Sequence, residues 1–331
     1  MSGVQTKNGK AFEYACLKAL QDALSLNQLI NVQEDAAFQT AKSSYEKLLQ
    51  ADQDSMCIGA LAAVNKLRAL EPMLENQNGP LILKIQTDSN GIHGDVRDVL
   101  CIRNGLEHWE IGISCKHNHH AVKHSRLSST IDFGKEWMGV PCSERYFAKI
   151  QPIFDELENA RVEARKQNTI AKWSELSDKE GSVYVPILKA FLEELKRIAN
   201  EDGAAERFTS YLIGTKDFYK VIMDEKNEYT RIEAMNISGT LNRKSGRVKA
   251  RIGVPKLKMP TKFLEMRFKR NSKTTIEVLL DEGWSFSMRI HSAKEELEAS
   301  LKFDINLIGC PSNNYAQTEL WYTKSCSLTG S

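Results

Sequence analysis

The chain lacks the cysteine spacings and long apolar runs that would define several classes of protein. Its seven cysteines are scattered, odd in number and without a CxxC pair. This pattern predicts reduced thiols in a cytoplasmic protein, not a disulfide framework or a cysteine zinc site. No apolar run approaches the roughly 20 residues needed to cross a bilayer, and residues 1–10 lack a signal-peptide core. The hydrophobic content of 41% and charged content of 27% are instead typical of a soluble globular protein.

Charge is nearly balanced over the whole chain but not along it. The net charge is +2, yet residues 243–273 contain twelve Lys or Arg residues and a single acid, Glu265. Residues 154–206 are rich in Glu and Asp and offset them. A basic stretch within a nearly neutral protein indicates a surface for a polyanion. The alternative is a solvated loop face with no ligand.

The hydrophobic pattern predicts a mixed α+β fold, in which a central mixed sheet is flanked by helices. Apolar residues at helical spacing and short apolar runs bounded by turn residues distinguish the two kinds of element. Helices are predicted at 8–25, 35–50, 53–75 and, with a break at 181–186, from 128 to 206. Strands are predicted at 79–85, 96–103, 108–116 and 208–222, followed by a mostly β region to about 325. We expect a helical core over 1–206, and a β-rich region over 207–331 that binds a polyanion and could be continuous with that core.

The predicted hairpin at 96–116 carries a group of ionisable side chains. Because strand side chains alternate, Glu110, Gly112, Ser114 and Lys116 share one face of its second strand. Asp98 begins the apolar run of the first strand, where a carboxylate is costly unless a cation or a donor satisfies it. Acidic side chains that face a lysine on neighbouring strands are what a metal-dependent nuclease needs to hold a cation and an attacking water. The alternative is a surface hairpin with an ordinary salt bridge.

This arrangement resembles the PD-(D/E)xK nuclease core, in which an aspartate starts one hairpin strand and an acid-x-lysine triplet ends the next. Asp98 matches as a metal ligand and Lys116 as the lysine that orients the attacking water. Ser114, however, stands where the second acid is expected. Glu110 is a candidate for that role, although it lies about 13 Å further back at ~3.3 Å per residue. Asp95, and Glu13 on the first helix, are the other candidate ligands for Mg²⁺.

Six of the seven histidines lie between positions 93 and 124. His117 is a further catalytic candidate beside Lys116. A zinc site built from His117, His119, His120 and His124, as in an HNH or another zinc-type nuclease, is an alternative that needs two or three close imidazoles. We favour a role in which this segment bonds to phosphates through Lys123, His124 and Arg126.

Longer strings of sequence resemble the HaeIII family of type II restriction endonucleases. They are Asn8 to Tyr14, Gly94 to Val99, Lys116 to Ser128, Asp132 to Trp137, Pro260 to Lys269 and Gly283 to His291. The resemblance runs from about residue 8 to 310. It implies Mg²⁺-dependent cleavage of double-stranded DNA, within GGCC and with blunt ends. It also implies a partner methyltransferase that protects the host DNA.

A target of G·C pairs is read best in the major groove, by Arg or Lys at guanine O6 and N7. The basic residues available for bases or phosphates are Arg247, Lys249, Arg251, Lys256, Lys258 and Lys262. A palindromic target suits a homodimer, although a monomer that cuts the strands in turn is also consistent with the sequence. The alternative from another class is a duplex DNA-binding protein with a decayed nuclease site, suggested by Ser114.

Overall fold

The computed structural model describes residues 2–87, 94–105, 108–118 and 121–321, and it divides into two compact units. One unit comprises Met1–His120, Gly214–Leu257 and Asn313–Ser331. The other comprises Ala121–Ile213 and Lys258–Ser312. Both units are therefore discontinuous, and they do not follow the predicted division into 1–206 and 207–331.

The first unit is built on a seven-stranded mixed sheet. Its helices are α1 (Ser2–Ser25), α2 (Ala36–Glu46) and α3 (Gln50–Leu70). Its strands are β1 (Ile30–Gln33), β2 (Leu81–Ile85), β3 (Val99–Asn104), β4 (His108–His117), β7 (Phe218–Asp224), β8 (Tyr229–Met235) and β13 (Ala316–Leu320). The strand order is β1-β2-β3-β4-β7-β8-β13. Strands β3 and β4 form the predicted hairpin, and β7 adds to β4 in parallel.

The second unit combines helices with a six-stranded sheet. Its helices are α4 (Phe133–Met138), α5 (Glu144–Lys166), α6 (Val185–Ile198) and α7 (Ala204–Ile213). Its strands are β5 (Ala121–Lys123), β6 (Arg126–Leu127), β9 (Phe263–Phe268), β10 (Thr275–Leu280), β11 (Ser285–His291) and β12 (Leu301–Gly309). The predicted mixed α+β class is confirmed.

The apolar face of the β3–β4 hairpin forms the core of the first unit. Trp109, Ile111, Ile113 and Cys115 alternate along β4 and are buried among the side chains of α1 and α3. The helix predicted at 8–25 is present as α1, and apolar residues at helical spacing along it are all buried: Phe12, Ala15, Cys16, Ala19, Leu20 and Leu24. The removal of these apolar side chains of α1 and β4 from water is the main contribution to stability. Because they occupy one face of the hairpin, its opposite face is left for polar side chains.

One predicted strand is partly wrong. Residues 208–213 belong to helix α7, and strand β7 begins only at Phe218. The run Tyr211-Leu212-Ile213 is apolar and short, and periodicity alone cannot separate a buried strand from the end of a helix in such a run. Gly214, with a φ of +102°, ends the helix because a residue without a Cβ adopts this conformation readily.

The prediction that every cysteine is reduced is not fully met. Cys16, Cys101, Cys115, Cys142 and Cys310 are free thiols, whereas Cys57 is disulfide-bonded. Among the described residues, no helix combines the length and the apolar character that crossing a membrane requires.

Candidate active site

Asp98 lies at the start of β3 and is held by the neighbouring strand. Its Oδ2 atom accepts a hydrogen bond of 2.7 Å from the backbone N–H of Cys115 and one of 3.3 Å from the Ser114 hydroxyl. The backbone N–H of Asp98 donates to the carbonyl of Ile113 at 2.8 Å. These bonds hold the carboxylate in one position on the hairpin and leave Oδ1 without a hydrogen bond to any residue that the structure describes.

Lys116 completes the predicted pair near the end of β4. Its Nζ atom lies 3.8 Å from Oδ2 of Asp98, and the two side chains are 18% and 23% exposed. Both groups can therefore be reached by a ligand while they are held by the sheet. An exposed pair at this distance contributes about 1 kcal/mol or less to stability. Its position, more than its contribution to stability, is what makes it a candidate for catalysis.

Glu13 approaches the same end of the hairpin from helix α1. It is 6% exposed and accepts a bond of 3.0 Å from Lys10. The pKa of the Cys115 thiol is raised well above its usual value by a hydrogen bond with Cys16, then by burial and by the nearby charges of Asp98 and Glu13. One thiol thus experiences both carboxylates, so Glu13 is a second acid close to this end of the hairpin, although it is already paired with Lys10.

Asp95 and Glu110, two of the predicted metal ligands, are joined by one arginine. Arg97 donates to Asp95 in a bidentate pair, with both bonds at 2.7 Å, and its Nη1 lies 2.6 Å from Glu110. Burial opposes the charge of the Asp95 carboxyl, but the bonds from Arg97 outweigh it and lower its pKa. The Arg97 side chain crosses β4 at Gly112, where a Cβ would lie 2.0 Å from Arg97 Cδ. Both carboxylates therefore have a partner other than a metal, and this geometry favours a structural role for them.

The register places a row of polar residues across the sheet beside Asp98. Ser114 pairs with Lys220 on β7, and Lys220 pairs with Glu233 on β8. Gln86, just beyond β2, donates from its backbone N–H to the Asp98 carbonyl. Partners in register project to the same face of a sheet, so Lys220 lies on the face that carries Ser114. Lys220 is only 3% exposed, and no pattern in the sequence distinguishes it from other lysines.

Of the four histidines in the predicted zinc group, the structure describes His117 and His124, and these two lie beside different carboxylates. The imidazole of His117 is 3.5 Å from Glu225, and burial lowers its pKa despite that neighbour. His124 belongs to the second unit, where its Nδ1 lies 3.0 Å from Asp304. His119 and His120, together with His93, fall outside the described residues. The predicted zinc alternative therefore has no support from His117 and His124.

The remaining candidates in the second unit differ in whether their charged groups already have hydrogen-bond or ion-pair partners. Lys123 donates to the carbonyl of Tyr211 and lies 3.4 Å above the centre of its ring, and burial lowers its pKa to about 8. Arg126 bonds to Ser300 at 2.7 Å. Lys258 lies 3.7 Å from Glu282, whereas Lys262 is exposed and has no ion pair with a described residue. Lys262 is thus the most available of the four for a phosphate.

In the first unit, an exposed basic segment is anchored to the end of α3. Arg247, Lys249, Arg251 and Lys256 are all exposed and form no ion pair with any residue in the described ranges. The anchor is Asn242, whose amide donates to the carbonyls of Leu70 and Ile252 at 2.6 and 2.9 Å. The segment therefore presents free cations from a fixed starting point, as a surface for phosphates requires.

Glu71 supports the same anchor from inside the protein. It is fully buried, and its Oε1 accepts bonds from the Tyr219 hydroxyl and the backbone N–H of Asn242. Burial raises the pKa of Glu71 to about 7, although these two bonds oppose the shift. An acid with a raised pKa favours folding while it is protonated. This contribution is complete below the unfolded value near 4.5 and is lost as the pH rises through about 7.

We expect Glu71→Gln to remove this pH dependence. The free energy of unfolding of the wild type should fall by about 3 kcal/mol relative to the variant between pH 4.5 and 8, because each pKa unit corresponds to ~1.4 kcal/mol. Urea unfolding at a series of pH values measures the difference. Glu156→Gln, on the exposed side of α5, is the matched control. Parallel curves for the wild type and Glu71→Gln would contradict the assignment.

The side chains beside Asp98 fit magnesium in part. Within the described ranges, no group of three or more His, Cys, Asp or Glu side chains is placed to hold a metal ion. Magnesium, however, is usually bound by one or two carboxylates, and waters and substrate phosphates complete its octahedron. Oδ1 of Asp98 is available for such a bond, and Glu13 is a second carboxylate near it. An aspartate and a lysine so placed on a central hairpin are typical of a metal-dependent nuclease.

Comparison with known proteins defines the family. The chain belongs to the HaeIII restriction endonuclease family, whose model matches residues 9–311. It is 43% identical over 313 residues to the type II restriction enzyme HaeIII of Haemophilus aegyptius, and the match covers 94% of this chain and 96% of the relative. No solved structure matches. The chain is therefore a type II site-specific deoxyribonuclease, as the sequence predicted.

Proposed function

We propose that this enzyme cuts duplex DNA within GGCC, with Mg²⁺ and with blunt ends, at the end of the β3–β4 hairpin. The observation that carries the proposal is the 3.8 Å pair of Asp98 and Lys116 in a chain of the HaeIII family. GGCC and the blunt ends come from the resemblance to that family. The site residues come from the geometry of the hairpin.

Each residue has a separate role in this proposal. Asp98 would hold the metal through a carboxylate whose Oδ2 is fixed by the Cys115 N–H and the Ser114 hydroxyl. Glu13 supplies the second carboxylate in place of the acid missing at Ser114. When bound there, the metal would lower the pKa of a water and stabilise charge on the phosphate. Lys116 orients that water or neutralises a phosphate oxygen.

Lys220 is a second lysine of the site, next to Ser114 in the sheet. A buried lysine is costly unless other groups balance its charge, and its place in the row beside Asp98 brings that charge to the face where the phosphate would bind. Arg97 positions the strand by holding Asp95 and Glu110. His117 stays a prediction, as a group that bonds to a phosphate beside Lys116.

The test is digestion of a long duplex of known sequence with Mg²⁺ or with EDTA, followed by mapping of the ends. We expect discrete fragments that end within GGCC only when Mg²⁺ is present. Fragments that end at another sequence would keep the nuclease and overturn the GGCC assignment. Uncut DNA bound by folded protein would favour a decayed site. Protection of the sites by a partner methyltransferase, and action as a homodimer, stay predictions.

A further inference from the structure

A second polar pocket lies along the same face of the sheet, at the other end of β4. Its volume is about 230 Å³, and its lining includes Arg97, His108, Glu110, Lys216 and Arg243. Glu110 and Ser114 are four residues apart on one face of β4, so the pocket lies about 13 Å from the row that contains Asp98. A DNA strand that reaches Asp98 can therefore also reach this pocket.

The acidic groups of the pocket are already satisfied. Glu110 is bonded to Arg97 at 2.6 Å. Asp217 accepts three bonds of 2.7 Å, from the backbone N–H groups of Ser238 and Thr240 and from the Thr240 hydroxyl. Carboxylates with this many donors are not placed to bind a cation from solution. Their role is to fix the walls of the pocket.

Two exposed cations lie at its edge, and the charge of one of them, Arg243, also acts on the buried Glu71. Lys216 and Arg243 are both exposed, and neither side chain has a hydrogen bond or an ion pair with any residue that the structure describes. They come from separate segments, one just before β7 and the other just after Asn242. Both cations belong to the first unit. Lys216 lies beside Glu110, and Arg243 directly follows the Asn242 anchor. Unpaired cations on fixed segments are suited to an anion.

We infer that this pocket binds a backbone phosphate of the DNA at a distance from the bond that is cut. The inference rests on the proposed function, since Asp98 marks the scissile position. The strand advances at least ~3.4 Å per nucleotide along the helix axis. A separation of about 13 Å then places this phosphate no more than about four nucleotides from the scissile bond. A phosphate fits better than a guanine edge, because base reading needs a fixed pair of donors, and two separate exposed cations supply charge without that geometry.

The test compares the wild type with a Lys216→Ala/Arg243→Ala double variant on duplexes that carry one methylphosphonate, a neutral phosphate substitute, at successive positions. Binding is measured in EDTA, so the pocket is tested whether or not the enzyme cuts. For the wild type, one substitution within four nucleotides of the GGCC centre should weaken binding, and the double variant should not respond to it. The slope of log K against log salt should fall in magnitude by about one to two in the variant. The fall in salt slope should also appear on a duplex without GGCC, because a phosphate contact does not depend on the base sequence.

Lys226→Ala is the matched control, because Lys226 is exposed in the turn after β7 and has no ion pair with a described residue. It should keep the wild-type salt slope and the wild-type response to the methylphosphonate. An unchanged slope in the double variant would overturn the inference. A variant that binds GGCC duplex more weakly but other duplexes normally would also overturn it, because it would identify a base contact. Failure of the proposed function would instead appear as absent cleavage with these binding effects intact.

Discussion

Replacement of Asp98 by Asn should reduce cleavage about a thousandfold or more while duplex binding in EDTA stays unchanged. Asparagine has the same shape, and its carbonyl can still accept the bond from Cys115 N–H. It lacks the charge that a magnesium ligand needs. A loss of ~4 kcal/mol of transition-state stabilisation corresponds to roughly this factor. Single-turnover cleavage of a GGCC duplex measures the rate.

Asp155→Asn on helix α5 provides the control for this substitution. Asp155 is exposed and bonds only to Gln151 among the described residues, so its loss should not change the rate. If Asp98→Asn cleaves as fast as the wild type, the hairpin assignment fails, and Glu13 becomes the first acid to test. If the Asn variant loses both binding and folding, measured by urea unfolding, it does not support a catalytic role.

Local patterns in the sequence were sufficient to predict the hairpin and its central pair. Alternation along β4 separates the buried Ile113 and Cys115 from Ser114 and Lys116, and this separation needs no knowledge of the rest of the fold. The buried face of α1 follows in the same way from helical spacing. The position of Asp98 beside Lys116 is therefore a consequence of short-range order within the hairpin.

Other parts of the site depend on contacts that no local pattern specifies. Lys220 lies beside Ser114 only because β7 adds to β4 in parallel, and these two residues are more than 100 positions apart. The glycine at 112 predicts open space beside the ionisable groups, but the structure fills that space with the side chain of Arg97. This contact links Glu110 to Asp95 instead of leaving it for a metal. Tertiary packing thus decides which acids remain available.

The division of the basic stretch between the two units also depends on tertiary contacts that no local pattern specifies. The basic segment reads as one stretch from Arg243 to Lys273, but the chain passes from the first unit to the second at Lys258. A contiguous charge pattern is therefore divided into two parts, one in each unit. In the sequence they form one stretch, because charge along a chain gives no information about which sheet each part joins.

Substitution of Lys116 or Lys220 is the second change expected to reduce the cleavage rate strongly. Lys116→Ala should reduce the single-turnover rate by about 10²–10³-fold, the usual loss when one group that stabilises developing charge is removed, with little change in duplex binding. Lys220→Met should also reduce the rate, since it removes a charge from the row of Asp98 and Ser114 but keeps a side chain of similar length for the buried position.

A measurement of folding distinguishes a catalytic role of Lys220 from a structural one. The urea midpoint of Lys220→Met should be compared with its rate at a temperature where the variant is fully folded. A folded variant with a rate reduced more than tenfold would support a place in the site. A folded variant that cuts at the wild-type rate would show that the lysine serves only packing and charge balance in the sheet.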